Sequence, residues 1–346
     1  MKILVTGGAG FIGSAFIRLM ISGRPDVEIA NFDKLTYAGN LENVAPVAAN
    51  PRYRFVRGDI CDAAAVNSLL AEFPADAIVH FAAESHVDRS ILAPDTVFET
   101  NLRGTFTLLE AARAHRIGRF LHVSTDEVYG SVAEPLAASE DAPLNPSSPY
   151  SAAKAGSDLL ALSYFTTYRL PVVVTRASNN YGPYQFPEKL IPLMITNALD
   201  GRKLPVYGDG LNTRDWLYVE DHCRAIEAVL ERGREGEIYN VGGNRALPNI
   251  EIVQKILRAT GARESLIEYV RDRPGHDRRY AITTGKTTRE TGWQPRVGFE
   301  EGLAFTISWY GENRGWVERV KSGEYQNYYE RNYGNRELEL ERLRKP

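Results

Sequence analysis

Short apolar runs and amphipathic stretches alternate through the first half of the chain. The runs KILVTG, VEIANFD, YRFVRGDI, AIVHFAA, FLHVST and PVVVTRAS are rich in Val, Ile and Phe. They read as buried parallel strands, which carry near-continuous apolar sequence because helices cover both faces. Between them, residues 11–22, 62–73, 95–115 and 150–168 have helical patterning. Strand–helix alternation builds right-handed βαβ units, so the expected fold is α/β with a doubly wound parallel sheet of Rossmann type. After about residue 180 the rhythm loosens, and Pro and Gly thicken in NNYGPYQFPEKLIP and LPVYGDGLNTRDW. Such segments form loops that build binding surfaces. Strands and helices continue in LYVEDHCRAIEAVL, EIYNVGG and NIEIVQKILRATG. The expected division is a Rossmann domain over 1–180 with some later segments returning to it, a smaller interleaved α/β C-terminal lobe over 181–330, and a charged tail over 331–346, read as a solvated terminal helix or frayed end.

Composition narrows the class. The 346 residues are 43% hydrophobic and 25% charged, with a net charge of −3. That describes an ordinary globular protein with a large core and no basic face for nucleic acid. Cys61 and Cys223 stand far apart with no CxxC and no His partner. They read as reduced thiols of a cytoplasmic protein rather than a disulfide or zinc site. The N-terminal apolar run meets glycines too early for a signal peptide, and no stretch approaches the roughly 20 apolar residues of a membrane span.

The first chemical signal is VTGGAGFIGS, which follows strand one and opens a helix. Gly7, Gly10 and Gly13 have distinct expected jobs: a tight turn, backbone approach to a pyrophosphate, and close packing of helix on sheet. The phosphates would sit at a helix N-terminus, where free N–H groups attract anions. Asp33 lies twenty residues past Gly13 at the end of VEIANFD. Its carboxylate suits ribose hydroxyls and repels a 2′-phosphate, which predicts NAD as cofactor. Later strand ends supply walls: Asp59 and Ile60 beside the adenine, and Phe81 to Ser85 along the pyrophosphate and nicotinamide side.

The second signal is SPYSAAKAG, which puts Tyr150 and Lys154 at i and i+4 on one helix face. A nearby ammonium, together with the positive nicotinamide ring, stabilises a phenolate, so Tyr150 is expected to titrate closer to neutrality and act as base toward a sugar hydroxyl. Lys154 would also hold the nicotinamide ribose. The third signal is VSTDEVYG, where Asp126 and Glu127 adjoin inside a strand-like run with Ser124 and Thr125. A strand end facing a pocket holds two carboxylates for acid–base chemistry. From the residues alone, a loop-edge pair capping the next helix or meeting lysines is an equal reading.

These motifs, with DKLTYAGN, HFAAESHVDRS, SNNYGPYQFPEKLIP, PVYGDGLNTRDWLYVEDH and DRPGHDRRYAI, resemble the extended short-chain dehydrogenase/reductase family and, within it, the dTDP-glucose 4,6-dehydratases. The likeness covers nearly the whole chain. It implies a hydro-lyase of deoxysugar biosynthesis that turns dTDP-glucose into dTDP-4-keto-6-deoxy-glucose by C4 oxidation, C5/C6 water elimination and hydride return to C6. Tyr150 would take the C4 hydroxyl proton and Thr125 would hydrogen-bond the C4 oxygen. Glu127 would abstract the C5 proton and Asp126 would protonate the leaving C6 hydroxyl. Two carboxyls with opposite protonation states need environments that split their pKa values. All three side chains can face one pocket only if the strand stops near Ser124 and DEVYG forms a turn or short helix, because neighbouring strand residues point to opposite faces.

The resemblance extends the cofactor set to Phe11, Ile12, Lys34, Leu35, Thr36, Asp59, Ile60, Phe81, Ala82, Ala83, Ser85, Thr100 and Asn180, beside Tyr150 and Lys154. It assigns the nucleotide-sugar lobe Ser85, Thr125, Asn179, Lys189, Leu190, Pro205, Val206, Tyr207, Arg214, Asn249, Asp272, Arg273, Pro274, Gly275 and His276. Arg214 and Arg273 are planar forks suited to diphosphate oxygens, and Pro205 and Tyr207 offer apolar surface to a pyrimidine. No metal pattern surrounds His276. A homodimer is implied, paired through the helices 95–115 and 150–168, with neither nucleic acid nor membrane as partner. A 4-epimerase on the same scaffold would need the Tyr/Lys pair but no acid–base pair at 126 and 127. A silent NAD-binding regulator would not need Tyr150 and Lys154.

Overall fold

A computed structural model describes residues 1–322, 324–334, 336 and 341. The six apolar runs all form strands: β1 (Lys2–Thr6), β2 (Glu28–Asp33), β3 (Tyr53–Arg57), β4 (Ala77–His80), β5 (Arg119–Thr125) and β6 (Val172–Ala177). Three short strands follow in β7 (Asn179–Tyr181), β8 (Leu204–Tyr207) and β9 (Thr213–Tyr218), and then β10 (Ile238–Val241), β11 (Ala246–Pro248) and β12 (Ile267–Val270). The main sheet has the order β10-β6-β5-β4-β1-β2-β3, with every pair parallel. The order reverses between β1 and β4. The loops leaving their C-terminal ends diverge there and open a crevice.

Helices cover both faces, as the alternation required. On one side lie α1 (Phe11–Gly23) and, from much later in the chain, α8 (Val219–Arg232). Phe16, Ile17 and Met20 meet Val219, Cys223 and Ile226 against β1 and β2. On the other side lie α2 (Ala63–Glu72), α3 (Val87–Leu92), α4 (Pro94–Phe98), α5 (Thr105–Ala114) and α6 (Pro149–Tyr168). There Leu69, Leu108, Leu109, Ala161 and Tyr164 pack on Leu4, Ile78 and Phe120. Pro149 starts α6, and Ser148 and Ser151 cap it reciprocally.

The expected single helix over 95–115 is instead α4, a π turn at Glu99–Gly104, and α5. The wide turn coincides with Asn101, whose side chain clamps the backbone of Glu84 in both directions, at 2.8 and 2.9 Å. A wide turn here also answers a steric need: a Cβ on Gly104 would sit 2.4 Å from Ile60.

The second lobe contains α7 (Leu190–Leu199), α9 (Asn249–Thr260), α11 (Phe299–Glu312) and α12 (Arg314–Val320), around a core that includes Ile195, Trp216, Ile252, Tyr310 and Trp316. Its sheets are β11-β9-β7 and β12-β8. The chain returns to the main sheet with α8, β10 and α10 (Gly285–Thr291). The last described elements are α13 (Glu324–Tyr329) and a π turn at Glu330–Gly334. The expected solvated tail is corrected where it is described. Asn332 and Arg336 are buried; Asn332 Nδ2 donates to the Tyr207 hydroxyl at 2.8 Å and Arg336 Nε to the Arg271 carbonyl at 2.6 Å. The rest of 331–346, namely 335, 337–340 and 342–346, lies outside the described residues.

Candidate active site

The glycine loop turns the chain from β1 into α1. Gly7 has φ +72, and a Cβ there would stand 2.5 Å from the Ala82 nitrogen, so both conformation and space demand glycine. A Cβ on Gly13 would meet the Gly7 carbonyl at 2.4 Å and the Gly8 Cα at 2.9 Å. The expected helix-on-sheet contact at Gly13 is therefore a helix-on-loop contact. Gly10 has a nearest neighbour only at 3.3 Å, and it heads α1 without a side-chain cap. The first-turn N–H groups of α1 face the crevice, an arrangement that attracts anions. Gly8 escaped the sequence reading, yet a Cβ there would come 2.3 Å from the Asn31 side chain.

Asp33 ends β2 with both carboxylate oxygens engaged, by Ala9 N at 2.9 Å and Leu35 N at 2.8 Å. Burial pushes its carboxyl up, and the two amides oppose that shift. Each oxygen keeps a lone pair for a hydroxyl donor. Lys34 reaches Asp59 at 2.6 Å across the same end of the cleft. Gly7, Gly10, Phe11, Ile12, Gly13, Asp33, Lys34, Thr36, Asp59, Ile60, Phe81, Ala82, Ala83, Ser85, Thr100, Tyr150, Lys154 and Asn180 all line this one cleft. Leu35 does not. Its backbone, at φ +57, turns its amide onto Asp33. The glycine cradle, the free helix N-terminus and a carboxylate at the far end fit a dinucleotide.

The cleft's inner end holds the carboxylate pair. β5 runs through Thr125, and a single 3-10 turn, Asp126–Tyr129, follows. Thr125 Oγ1 caps that turn by accepting from Glu127 N at 3.2 Å. The expected break in the strand is thus present, and Thr125, Asp126 and Glu127 share the cleft. Asp126 is only 2% exposed, and its Oδ2 has no partner among the described residues. Burial, then the charges of Glu127 and Asp215, push its carboxyl well up. Glu127 is half-buried one residue on.

Tyr150 and Lys154 face the pair from α6. The Tyr150 hydroxyl lies in hydrogen-bonding reach of Thr125. Burial, then Glu127, raise its pKa, and the hydrogen bond to Thr125 opposes them. Lys154 is itself buried and lowered to about 8 by desolvation. Its Nζ donates to the Val123 carbonyl at 2.8 Å.

A second cleft of about 140 Å³ joins the first. Glu127, Asn179, Glu188 and Lys189 line both. Leu190, Pro205, Val206, Tyr207, Arg214, Asn249, Arg273 and His276 line the second. Ser85 and Thr125 face only the first, where the Ser85 carbonyl accepts from Lys189 Nζ at 2.6 Å. Arg273 stands 3.4 Å from Asp88, and Arg214 lies over the Tyr280 ring at 4.1 Å. Asp272, Pro274 and Gly275 do not line the cleft. Asp272 turns to His276 Nδ1 at 2.6 Å, the Gly275 carbonyl accepts from Ser147 at 3.2 Å, and Pro274 is exposed. Buried Asn179 Oδ1 and Asn249 Oδ1, like Asp126 Oδ2, have no partner among the described residues. Buried polar atoms without partners at a cleft wall are positioned for a polar ligand.

Several lining residues were missed. His222 and Gln185 hold Asn180 in the first cleft, at 2.9 Å each. Asp88 and Tyr333 help wall the second. Asp88 lay inside the recognised run HVDRS, but nothing local marked Tyr333. Among the described residues no group of His, Cys, Asp and Glu could hold a metal ion, and no helix is long and apolar enough to cross a membrane.

Residues 4–306 match the GDP-mannose 4,6 dehydratase family. A dTDP-glucose 4,6-dehydratase of Streptomyces niveus is 55% identical over 326 residues, covering 93% of this chain and 96% of that protein. The enzyme of that name from Escherichia coli is 50% identical, covering 97% of this chain and 100% of its own. Among solved structures, the dTDP-glucose 4,6-dehydratase of Streptomyces venezuelae, with NAD bound, superposes with a TM-score of 0.91 at 55% identity. It covers 93% of this chain and 100% of that one. A UDP-glucose 4-epimerase of Thermus thermophilus, also with NAD, gives a TM-score of 0.84 at 32% identity, covering 90% and 100%.

Proposed function

The chain belongs to the dTDP-glucose 4,6-dehydratase family, and from that premise we propose that its joined clefts dehydrate dTDP-glucose to dTDP-4-keto-6-deoxy-glucose with NAD as cofactor. The carrying observation is the buried Asp126, its carboxyl pushed well up by burial and by Glu127, beside the more open Glu127 and within the reach of Tyr150 and Thr125. The bound nicotinamide supplies hydride acceptance at C4 and hydride return at C6. Thr125 orients the C4 oxygen, and Tyr150, as the phenolate that Lys154 and a bound nicotinamide cation together would favour, receives its proton. The ketone at C4 acidifies the C5 proton, which Glu127 takes. Asp126 gives its proton to the departing C6 hydroxyl, which leaves as water. A proton then returns to C5. An epimerase needs no acid at 126, so this pair favours dehydration.

The first cleft holds NAD through the residues named above, with Asp33 on the adenosine ribose. In the second, Arg214, Arg273 and Lys189 meet the diphosphate, while Pro205, Val206 and Tyr207 flank the base. The lobes divide at about residue 180, with α8 and β10 returning to the first. We also place a homodimer interface on α4, α5 and α6. Phe98, Phe106 and Leu159 there are 42, 46 and 58% exposed, as an apolar face awaiting a partner would be. Two free thiols, Cys61 and Cys223, support a reducing, cytoplasmic setting. Mass spectrometry of the product from dTDP-glucose tests the activity. Loss of one water is expected; an unchanged mass would overturn dehydration.

A further inference from the structure

The α6 helix carries a buried acid that the chemistry above leaves unused. Asp158 follows Lys154 by one turn, and both are sealed from solvent. Its carboxylate accepts from Arg176 Nε at 2.8 Å and stands 3.4 Å from His122 Nε2. Arg176 also donates to the Tyr129 hydroxyl at 2.9 Å, which donates to Asn240 at 2.8 Å. The same His122 nitrogen lies 3.1 Å from Ser157 Oγ and 3.5 Å from Lys154 Nζ.

The hydrogens can be assigned by elimination. Ser157 Oγ gives its hydrogen to the Lys154 carbonyl, at 2.9 Å. Toward His122 it then accepts, so Nε2 carries the ring hydrogen and gives it to Ser157, with Asp158 Oδ1 at 3.4 Å beside it. That nitrogen therefore accepts nothing from Lys154. The ammonium keeps one hydrogen bond in the floor, to Val123, and two of its N–H groups remain for the cleft.

Charge accounting points to the same residue. Facing Lys154 are Tyr150 and Asp158 from its own helix, His80 from β4, His122 from β5, Arg176 from β6, and Asp126 and Glu127 from the turn after β5. Burial and Lys154 hold His122 at about 4, and burial keeps His80 neutral as well. Burial pushes the Asp126 carboxyl up, which favours its neutral form. On the floor side, two cations, Lys154 and Arg176, thus share one anion. The helices packed outside α6 add none, since Asp88 and Arg89 of α3 are paired with Arg273 and Glu188, Asp95, Glu99 and Arg103 are exposed, and Glu110 is bonded to Arg113 and Tyr164. Burial lowers Lys154, and Asp158 opposes it.

We propose that Asp158 is a positioning residue that acts from beneath, through its charge and through His122, to keep Lys154 an ammonium aimed at the cofactor cleft. The role rests on the reading of Lys154 as part of the reaction site. Arg176 sets its strength by neutralising part of the same carboxylate. Removing the acid and removing the arginine should therefore move Lys154 in opposite directions, which a merely structural role would not do.

The test titrates Lys154 by NMR in isotope-labelled, NAD-free protein, for the parent, Asp158→Asn and Arg176→Met. The parent midpoint is expected at about 8. In Asp158→Asn it should fall by about one unit or more, the size of a lost opposite charge nearby. In Arg176→Met it should rise. The alkaline limb of NADH formation on dTDP-glucose should move the same two ways. Midpoints that stay put, or that move together, overturn the proposal. Should Asp158→Asn fail to fold, the direction in Arg176→Met decides alone. If the parent makes no keto-sugar, the activity reading falls while the NMR midpoints still judge this one.

Discussion

Replacing Asp126 with Asn isolates the acid from the base beside it. The substitution keeps shape and removes the one proton that the leaving C6 hydroxyl needs. A positioned general acid contributes about 10²–10⁴-fold, or about 3–5 kcal/mol of barrier. Steps before elimination do not use that proton. Asp126→Asn should therefore still form NADH on dTDP-glucose and still exchange the C5 proton with solvent through Glu127. Only release of the dehydrated sugar should fall by that factor. The assay follows NADH absorbance, deuterium uptake at C5 and product mass in one rapid-quench series. The structure adds a second arm. The Asp126 carboxyl sits above its unfolded value, because burial and the charges of Glu127 and Asp215 disfavour ionisation. A group raised in this way stabilises the fold below its unfolded pKa of about 3.9, and the contribution is lost as pH rises through the folded value. Asn has no charge to bury. Its unpartnered amide costs the same at every pH, since Oδ2 already lacks a partner. The parent should therefore lose stability relative to Asp126→Asn as pH rises, by about 1.4 kcal/mol per unit of displacement. Full dehydration by the variant, or stability curves that stay parallel from acid to alkaline pH, would refute the reasoning.

Three further outcomes are expected. Gly13→Ala drives a Cβ to 2.4 Å from the Gly7 carbonyl, and backbone cannot yield as a side chain can. NAD affinity, measured by calorimetry, should drop at least about tenfold, equivalent to about 1.4 kcal/mol. Burial pushes Asp88 up, but Arg273, His86 and Tyr207 outweigh it and hold its carboxyl at about 2. That stability is present above the unfolded pKa of about 3.9 and lost as pH falls toward 2, so Asp88→Asn should flatten an acid melting curve by about 2–3 kcal/mol; an unchanged curve counts against the pair. Phe106→Asp with Leu159→Asp puts charge into the exposed face of α5 and α6, and sedimentation should show a shift from dimer to monomer while NAD affinity holds.

The alternation of apolar runs and helical stretches determined the layered sheet, because a doubly covered parallel strand has to be apolar along its length. Spacing within one loop or one helix turn likewise determined the glycine cradle at 7, 10 and 13 and the pairing of Tyr150 with Lys154, since those relations are local. The break expected near Ser124, and found after Thr125, followed from strand geometry once the resemblance had put residues 125 to 127 in one pocket. Other features were beyond the chain's local pattern. The π turn at 99–104 is matched to a clamp on Glu84, a residue from another element. Tyr333 reaches the second cleft only because the chain's end folds back over Tyr207, and Asp88 only because α3 meets β8 at that same hydroxyl. The shift of Tyr150 is set by its burial and by Glu127, a residue of another element. Which of two adjacent carboxyls keeps its proton is likewise a property of the neighbours. Asp126 is enclosed, with Asp215 from β9 and Glu127 nearby, whereas the sequence places 126 and 127 side by side with nothing to tell them apart. Periodicity and spacing act along the chain, but burial and electric field act across it, so the fold was legible early and the proton inventory of the site only once distant elements had met.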